Sequence, residues 1–149
     1  MRAVCQRVTS ARVKIGEAVI GAIGLGWAIL LGVGQDDDQA AASGLAERIA
    51  NLRVFEDQAG KMNLAAADVG AQFLVVSQFT LLADLSRGRR PSFVRAAPPE
   101  QAAPLVDWFV ARLRELGFTV ATGQFGANMD VELTNQGPVT IVLSTDGWS

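Results

Sequence analysis

Two short polar segments interrupt an otherwise apolar pattern, and their residue types could do chemistry. Ser77-Gln78-Phe79-Thr80-Leu81 follows the apolar run Phe73-Leu74-Val75-Val76. Polar side chains at the end of a buried strand are fixed by the strand and exposed by the loop, a usual placement for a site. Two hydroxyls and a carboxamide can orient a ligand, and a hydroxyl becomes a nucleophile if a base stands beside it. Thr134-Asn135-Gln136-Gly137-Pro138-Val139-Thr140 is the second segment, set between two strand-like runs. Here the chemistry would be that of backbone brought close to a ligand, since glycine carries no side chain. Read alone, each segment has a plain structural alternative. Ser and Thr cap turns, and Gly-Pro is an ordinary turn signal with a trans peptide as the default.

The rest of the inventory narrows the chemistry. The chain contains no histidine and a single cysteine, Cys5. Ser-His-Asp and Cys-His machinery are therefore absent, as are an internal disulfide and any Cys-rich zinc site. A hydrolase built on this sequence must take its base from a carboxylate, a lysine, water or the substrate. Cys5 lies in an apolar run with Val4 and Val8 and reads as a buried structural thiol. Neither a cofactor nor a metal is implied. The formal charge of −2 makes the average surface unattractive to nucleic acid. Only local clusters could hold phosphates: Arg87, Arg89, Arg90 and Arg95, or Arg2, Arg7, Arg12 and Lys14. Asp36-Asp37-Asp38 reads as the cap and first turn of a helix, solvated like Glu56-Asp57.

These residues need a scaffold, and the hydrophobic pattern predicts one. Short alternating or apolar runs mark strands at Arg2–Val8, Ala11–Ile15 and Ala18–Ile23, with Gly16-Glu17 as a hairpin turn. Trp27–Val33 is a continuous apolar run, consistent with a buried central strand. The three aspartates open a helix whose core-facing stripe is Leu45, Ile49 and Leu52. Arg53–Phe55, the turn at 57–60 and Lys61-Met62-Asn63 follow, then a second buried strand at Gln72–Ser77. A polar loop spans Asp84–Pro91. Pro98-Pro99-Glu100 starts a second helix with the stripe Leu105, Phe109, Leu113 and Leu116, and Gly117 ends it. Phe118–Thr122, Met129–Thr134 and Val139–Leu143 complete the strands. The expectation is an α+β fold over 1–149, one domain with a mainly antiparallel, barrel-like sheet and two covering helices. Met1–Arg7 lacks the apolar core of a secretory signal, and the apolar stretch Ala18–Val33 is broken by glycines. A cytoplasmic protein away from the membrane is expected.

Taken together, Ser-Gln-Phe-Thr-Leu and Asn-x-Gly-Pro-Val-Thr resemble the two signature motifs of the D-aminoacyl-tRNA deacylases. The resemblance extends to Met1–Val4 with Gln6-Arg7-Val8, to Leu52–Asp57 and to Gly60–Asn63. It also covers Gly88–Phe93 and Gly123–Met129. Ser77 is similar to the serine of the D-specific branch, which an animal paralogue typically replaces.

That resemblance implies a homodimer with active sites at the subunit interface, acting on a tRNA 3′ end that carries a D-amino acid or glycine, glycyl-tRNA(Ala) included. It implies a cis Gly137-Pro138 peptide reaching into the pocket of the other subunit as a chiral filter. Arg7 would hold that loop through its carbonyls, and Met129 and Asn135 would join the substrate-binding set. It further implies water as the nucleophile, assisted by the ribose 2′-OH. Backbone N–H groups of Phe79 and Thr80 are the candidate oxyanion donors, with Ser77 and Gln78 orienting the substrate. Other readings stay open: Thr80 as a nucleophile, a non-catalytic nucleic-acid-binding module, or a structural dimeric β domain whose motifs are only turns. The Arg87–Arg90 cluster would either meet the acceptor stem or be a solvated loop.

Overall fold

Apolar side chains at period two dictate the sheet. The computed structural model describes residues 1–147. In chain order the elements are β1 (Arg2–Ile15), β2 (Ala18–Ile23), β3 (Gly26–Gly32), α1 (Gln39–Ala50), β4 (Phe55–Glu56), β5 (Met62–Leu64), β6 (Gln72–Ser77), α2 (Pro99–Glu115), β7 (Val120–Thr122) and β8 (Asp130–Ser144). Single 3-10 turns lie at Ala66–Val69 and Phe79–Leu82.

β1 organises everything else. Along one edge it pairs antiparallel with β8 over nearly its full length, from Arg2↔Ser144 to Lys14↔Asp130. Along its other edge it pairs with β3 through Arg2–Val8 and with β2 through Ala11–Ile15. β2 and β3 thus act as one long strand broken at Gly24-Leu25. The sheet continues β3–β6–β7 in parallel register. Parallel neighbours need long crossovers, and α1 and α2 lie in the two that join β3 to β6 and β6 to β7. The barrel nearly closes where β2 meets β7: a Cβ on Gly21 would stand 2.7 Å from the Thr122 carbonyl oxygen. Only glycine permits that approach.

Both faces of the central strands are buried, which is why β3 and β6 read as unbroken apolar runs. Trp27, Ile29, Leu31, Phe73 and Val75 face the helices and meet Leu45 and Ile49 of α1 and Phe109 and Leu113 of α2. Ala28, Leu74 and Val76 face the other way, into the barrel, with Val8, Val13 and Ile23. Each large side chain so buried stabilises the fold by about 1.5–3 kcal/mol.

The expected α+β architecture with two covering helices is the observed one, with differences in detail. β1 is one strand rather than two, because exposed Thr9 and Ser10 interrupt the apolar alternation only as a bulge, Thr9 standing unpaired between the Val8↔Asn135 and Ser10↔Thr134 pairs with β8. β8 is likewise one strand. The Gly-Pro segment does not reverse the chain, since residues on both sides of it pair with β1 in one direction, Asn135↔Val8 and Thr140↔Gln6. Leu116 caps α2 at 38% exposure instead of extending its buried stripe. Gly117 takes φ +97 and turns the chain away. Leu52 lies beyond the end of α1, which Asn51 caps.

Of the three aspartates only Asp38 caps α1, accepting from Ala41 N–H at 2.8 Å. Asp37 is not a solvated first-turn acid. Its carboxylate takes the Met1 ammonium and the Gly34 N–H, each at 2.6 Å. Among the described residues no helix is long and apolar enough to cross a membrane.

Candidate functional site

The Ser77–Leu82 segment is built as the continuation of β6. Gln78 N–H donates to Leu31 O at 2.8 Å, carrying the ladder one residue past the strand. The chain then turns, and Leu81 N–H closes the turn onto Gln78 O at 3.2 Å. Phe79 and Thr80 stand ahead of that bond, in the first turn, where backbone N–H groups have no partner inside the helix.

Two features seat this turn on the sheet. Gly32 is the first: a Cβ there would fall 2.9 Å from Gln78 O and 2.7 Å from a Leu82 methyl. Arg2 is the second, buried at 5% exposure and donating to Leu81 O at 2.8 Å while its Nε meets Asp146 at 3.1 Å.

Beside the turn opens a cavity of about 630 Å³. Ser77, Gln78 and Phe79 form one wall, the start of α2 with Pro99, Ala102 and Val106 another, and the loop from Phe125 through Asn128 to Met129 a third. Phe79 is 58% exposed and packs edge-on against Phe93, ring centroids 5.0 Å apart. Phe125 also stands exposed at the mouth. The sulfur of Met129 accepts from Gln124 N–H at 3.4 Å, in space that Gly123 leaves open. The lining is apolar and aromatic with three polar side chains, Ser77, Gln78 and Asn128, and no ionisable one. Such a site can hold a flat, partly apolar ligand and fix it by hydrogen bonds, but it supplies no side-chain base of its own.

Thr80 lies outside the lining, exposed, with its hydroxyl accepting from the Gln78 carboxamide. No base stands on that hydroxyl. Among the described residues no cluster of three His, Cys, Asp or Glu side chains is placed to hold a metal. Burial pushes the Cys5 thiol up to about 12, so it is neutral and shielded in the folded chain.

The Gly-Pro segment is a separate construction. Four residues, Gln136 to Val139, bulge out opposite the single residue Arg7 between the Asn135↔Val8 and Thr140↔Gln6 pairs. The Gly137–Pro138 peptide is cis, and both residues are exposed. Arg7, 3% exposed, donates to Gln136 O from Nε at 3.3 Å and from Nη2 at 3.2 Å, while Nη1 donates to Val54 O at 2.7 Å. Asn135 clasps the bulge from its own strand, accepting from Val139 N–H at 2.9 Å and donating to Thr140 Oγ1 at 3.1 Å. Both ends of its carboxamide are therefore engaged within the loop. In the single chain, Arg7, Asn135, Gly137 and Pro138 do not line the cavity that Ser77, Gln78, Phe79 and Met129 share.

Phe93, Phe125 and Asn128 line the cavity without a role expected from sequence, and Arg2 has a different role from the expected one. Aromatic residues in otherwise polar loops are the signal for the first two. Arg2 belonged to a basic N-terminal cluster that does not exist as a surface. Arg2 and Arg7 are buried, and Arg12 and Lys14 are both paired with Glu132, whose carboxyl their hydrogen bonds hold below the usual range.

Comparison with known proteins agrees across the chain. Residues 4–144 match the family described as D-Tyr-tRNA(Tyr) deacylase. A D-aminoacyl-tRNA deacylase of Roseiflexus sp. (strain RS-1) is 59% identical over 145 residues, 97% of this chain and 94% of that protein. One from Symbiobacterium thermophilum is 57% identical over 146 residues, 98% of this chain and 97% of its own length. Among solved structures, the c-Myc DNA Unwinding Element Binding Protein superposes with a TM-score of 0.91 at 42% identity, covering 97% of this chain and 99% of that one. A probable eukaryotic D-amino acid tRNA deacylase shares the fold at a TM-score of 0.79 and 16% identity, over 95% of this chain and 97% of that one.

Proposed function

The chain belongs to the D-Tyr-tRNA(Tyr) deacylase family, and from that premise we propose that it hydrolyses the ester joining a D-amino acid, or glycine as on glycyl-tRNA(Ala), to the 3′ end of a tRNA in the cytoplasm. The observation that carries the mechanism is the cavity's lack of any ionisable side chain in a chain without histidine. The base must come from outside the pocket wall. The ribose 2′-OH beside the ester is already in place, the advantage that effective molarity describes, and it assists water at the carbonyl carbon. Ser77 and Gln78 orient the terminal nucleoside and the aminoacyl group. The N–H groups of Phe79 and Thr80 take the developing oxyanion, and losing one such donor costs about 10²–10³ in rate.

Handedness is read by backbone. Gly137 and Pro138 are held out in solvent by Arg7 and Asn135, with nothing of their own chain's cavity beside them. A homodimer gives them a target: the loop of one protomer closes the cavity of its partner. A rigid backbone wall, open at Gly137, then excludes an L-substituent and accepts a D-substituent or none, so selectivity rests on rejection rather than on grip. Met129 forms the opposite wall, and Arg7 and Asn135 act as positioning residues for the loop.

The deciding experiment measures deacylation of D-Tyr-tRNA and L-Tyr-tRNA side by side. Hydrolysis of the D-ester with the L-ester spared is the expected result. Survival of the D-ester under a large excess of enzyme overturns the proposal and leaves nucleic-acid binding without catalysis, the role in the name of the c-Myc DNA Unwinding Element Binding Protein.

A further inference from the structure

The loop between the 3-10 turn and Phe93 carries more positive charge than the fold uses. Its base is closed by a pair of hydrogen bonds, Asp84 N–H to Ser92 O at 2.8 Å and Ser92 N–H to Asp84 O at 2.9 Å. Asp84 also accepts from Ser86 N–H at 2.9 Å, and that bond, with the nearby Arg95 and Arg87 charges, holds its carboxyl below the usual range. Beyond this base the seven residues Leu85–Pro91 are all exposed and include Arg87, Arg89 and Arg90. Among the described residues none of these three makes an ion pair, whereas Arg95, just past the loop, reaches Asp146 at 3.7 Å. An acidic chain has thus concentrated three guanidiniums without an ion pair on one projection, Arg87 lying within the field of the Asp84 carboxylate at its base.

The position of that projection is set by the cavity. The loop leaves from the turn that bears Phe79 and returns into Phe93, and these two rings pack on each other at the cavity mouth. A seven-residue hairpin excursion reaches on the order of 10 Å from its base, far enough to meet what lies just outside the mouth. A ligand whose end nucleoside fills the cavity must lead its phosphates out through it. A helical strand carries one phosphate per about 3 Å of axis, so three fall within the loop's reach.

We infer that Arg87, Arg89 and Arg90 form an electrostatic arm that grips the acceptor-strand phosphates upstream of the terminal nucleoside. This rests on the function proposed above and adds a second, sequence-blind contact to it. Arginine suits the task because its planar fork meets phosphate oxygens two at a time. The grip acts on the tRNA body and leaves the chemistry at the ester to the cavity.

The test compares D-tyrosyl-tRNA with 3′-O-D-tyrosyl-adenosine, which has no phosphate. The dimeric enzyme and its Arg87→Gln/Arg89→Gln/Arg90→Gln variant are assayed on both between 50 and 200 mM salt. The ratio of kcat/KM on tRNA to kcat/KM on the nucleoside ester falls 10- to 100-fold in the variant at low salt. Three lost contacts to the single-stranded 3′ end remove about 2.1 from the log–log salt slope, so a decline of roughly 20-fold across this range in the wild type becomes nearly flat. The triple lysine variant, which keeps the charge, restores most of the slope. An unchanged ratio and slope in the glutamine variant, or no recovery with lysine, overturns the inference. Failure of the wild type on both esters instead overturns the deacylase reading.

Discussion

The guanidinium of Arg7 and the backbone carbonyl of Gln136 are joined by two hydrogen bonds, at 3.3 and 3.2 Å, across the point where β8 leaves its ladder with β1. A third nitrogen of the same group takes Val54 O at 2.7 Å, and Glu56 stands 3.8 Å away. One buried side chain therefore ties the bulge to the segment leading into β4. Arg7→Lys keeps the charge but cannot span two carbonyls with one fork. We expect kcat/KM on D-Tyr-tRNA to drop at least about 10²-fold, as misplacement of groups around a reacting centre does. A buried acceptor left without its donor destabilises by about 1–3 kcal/mol, which urea unfolding will show. Full activity in the lysine variant would remove Arg7 from the loop's support.

Gly137 is fixed by two independent constraints. Its φ of +128 is one that side-chain-bearing residues rarely adopt, and a Cβ would sit 2.8 Å from Val139 Cγ2 and 3.2 Å from an Arg7 nitrogen. Gly137→Ala must shift either the backbone or the Arg7 brace. Strain of this type costs on the order of 1–3 kcal/mol. The bulge relaxes, and the expected signature is selective: the D-to-L rate ratio falls while the circular dichroism of the fold is kept. A variant with unaltered D/L selectivity would separate the loop from chiral discrimination.

How far these arrangements can be read from sequence depends on range. The strand at Gln72–Ser77 and the buried run of β3 follow directly from apolar periodicity, as does the place where Ser77 and Gln78 emerge. Gly117 at a helix end is equally local. The turn implied by Gly137-Pro138 is the instructive difference, because local chemistry signals a reversal whereas pairing with β1 on both sides keeps the strand going. By residue pattern Arg2 and Arg7 read as members of a basic cluster for a similar reason, and only the family resemblance puts Arg7 on the carbonyls of the Gly-Pro loop. Their burial depends on carbonyls at Leu81, Val54 and Gln136, remote in sequence and brought near only by the closed sheet. Asp37 is drawn from solvent by an ammonium group 36 residues away.

Thr80 offers a test of covalent catalysis. Its hydroxyl is exposed and accepts from the Gln78 carboxamide, with no base positioned to remove its proton. A weak nucleophile without such a base is inactive in acyl transfer. Thr80→Ala is expected to retain activity within about tenfold, since the backbone N–H that would meet the oxyanion is preserved. Single-turnover assays with excess enzyme give the rate of the chemical step directly. A loss beyond about 10⁴-fold, or an acyl-enzyme trapped by acid quench, would place the threonine in the reaction.

Gly32 tests whether the site turn depends on close packing against β3. A Cβ there would meet Leu82 Cδ2 at 2.7 Å, Gln78 O at 2.9 Å and Leu81 Cβ at 3.0 Å. Two of these neighbours are backbone or near-backbone atoms and cannot swing away as a side-chain tip does. Gly32→Ala is expected to lift the Gln78–Leu82 turn, with overpacking of about 1–3 kcal/mol and a loss of kcat larger than any rise in KM. Unchanged kinetics would show that the turn is not held by this contact.

Cys5 yields a prediction in pH. Its thiol is raised from 9.0 to about 12 by burial in the face covered by the helices. In the unfolded chain the thiol ionises near its ordinary value, while in the native chain it stays protonated until far higher pH. Between these two values the unfolded state binds fewer protons than the native one, so this group lowers stability as pH rises from about 9 toward 12 and has no effect on it below. At pH 8 the native thiol is neutral and inaccessible, so its reaction with a disulfide reagent proceeds only through opening of the sheet. The expected labelling rate is slow, independent of reagent concentration when reagent is abundant, and accelerated by urea. Rapid second-order labelling of the folded protein at pH 8 would mean that β1 is open to solvent at Cys5.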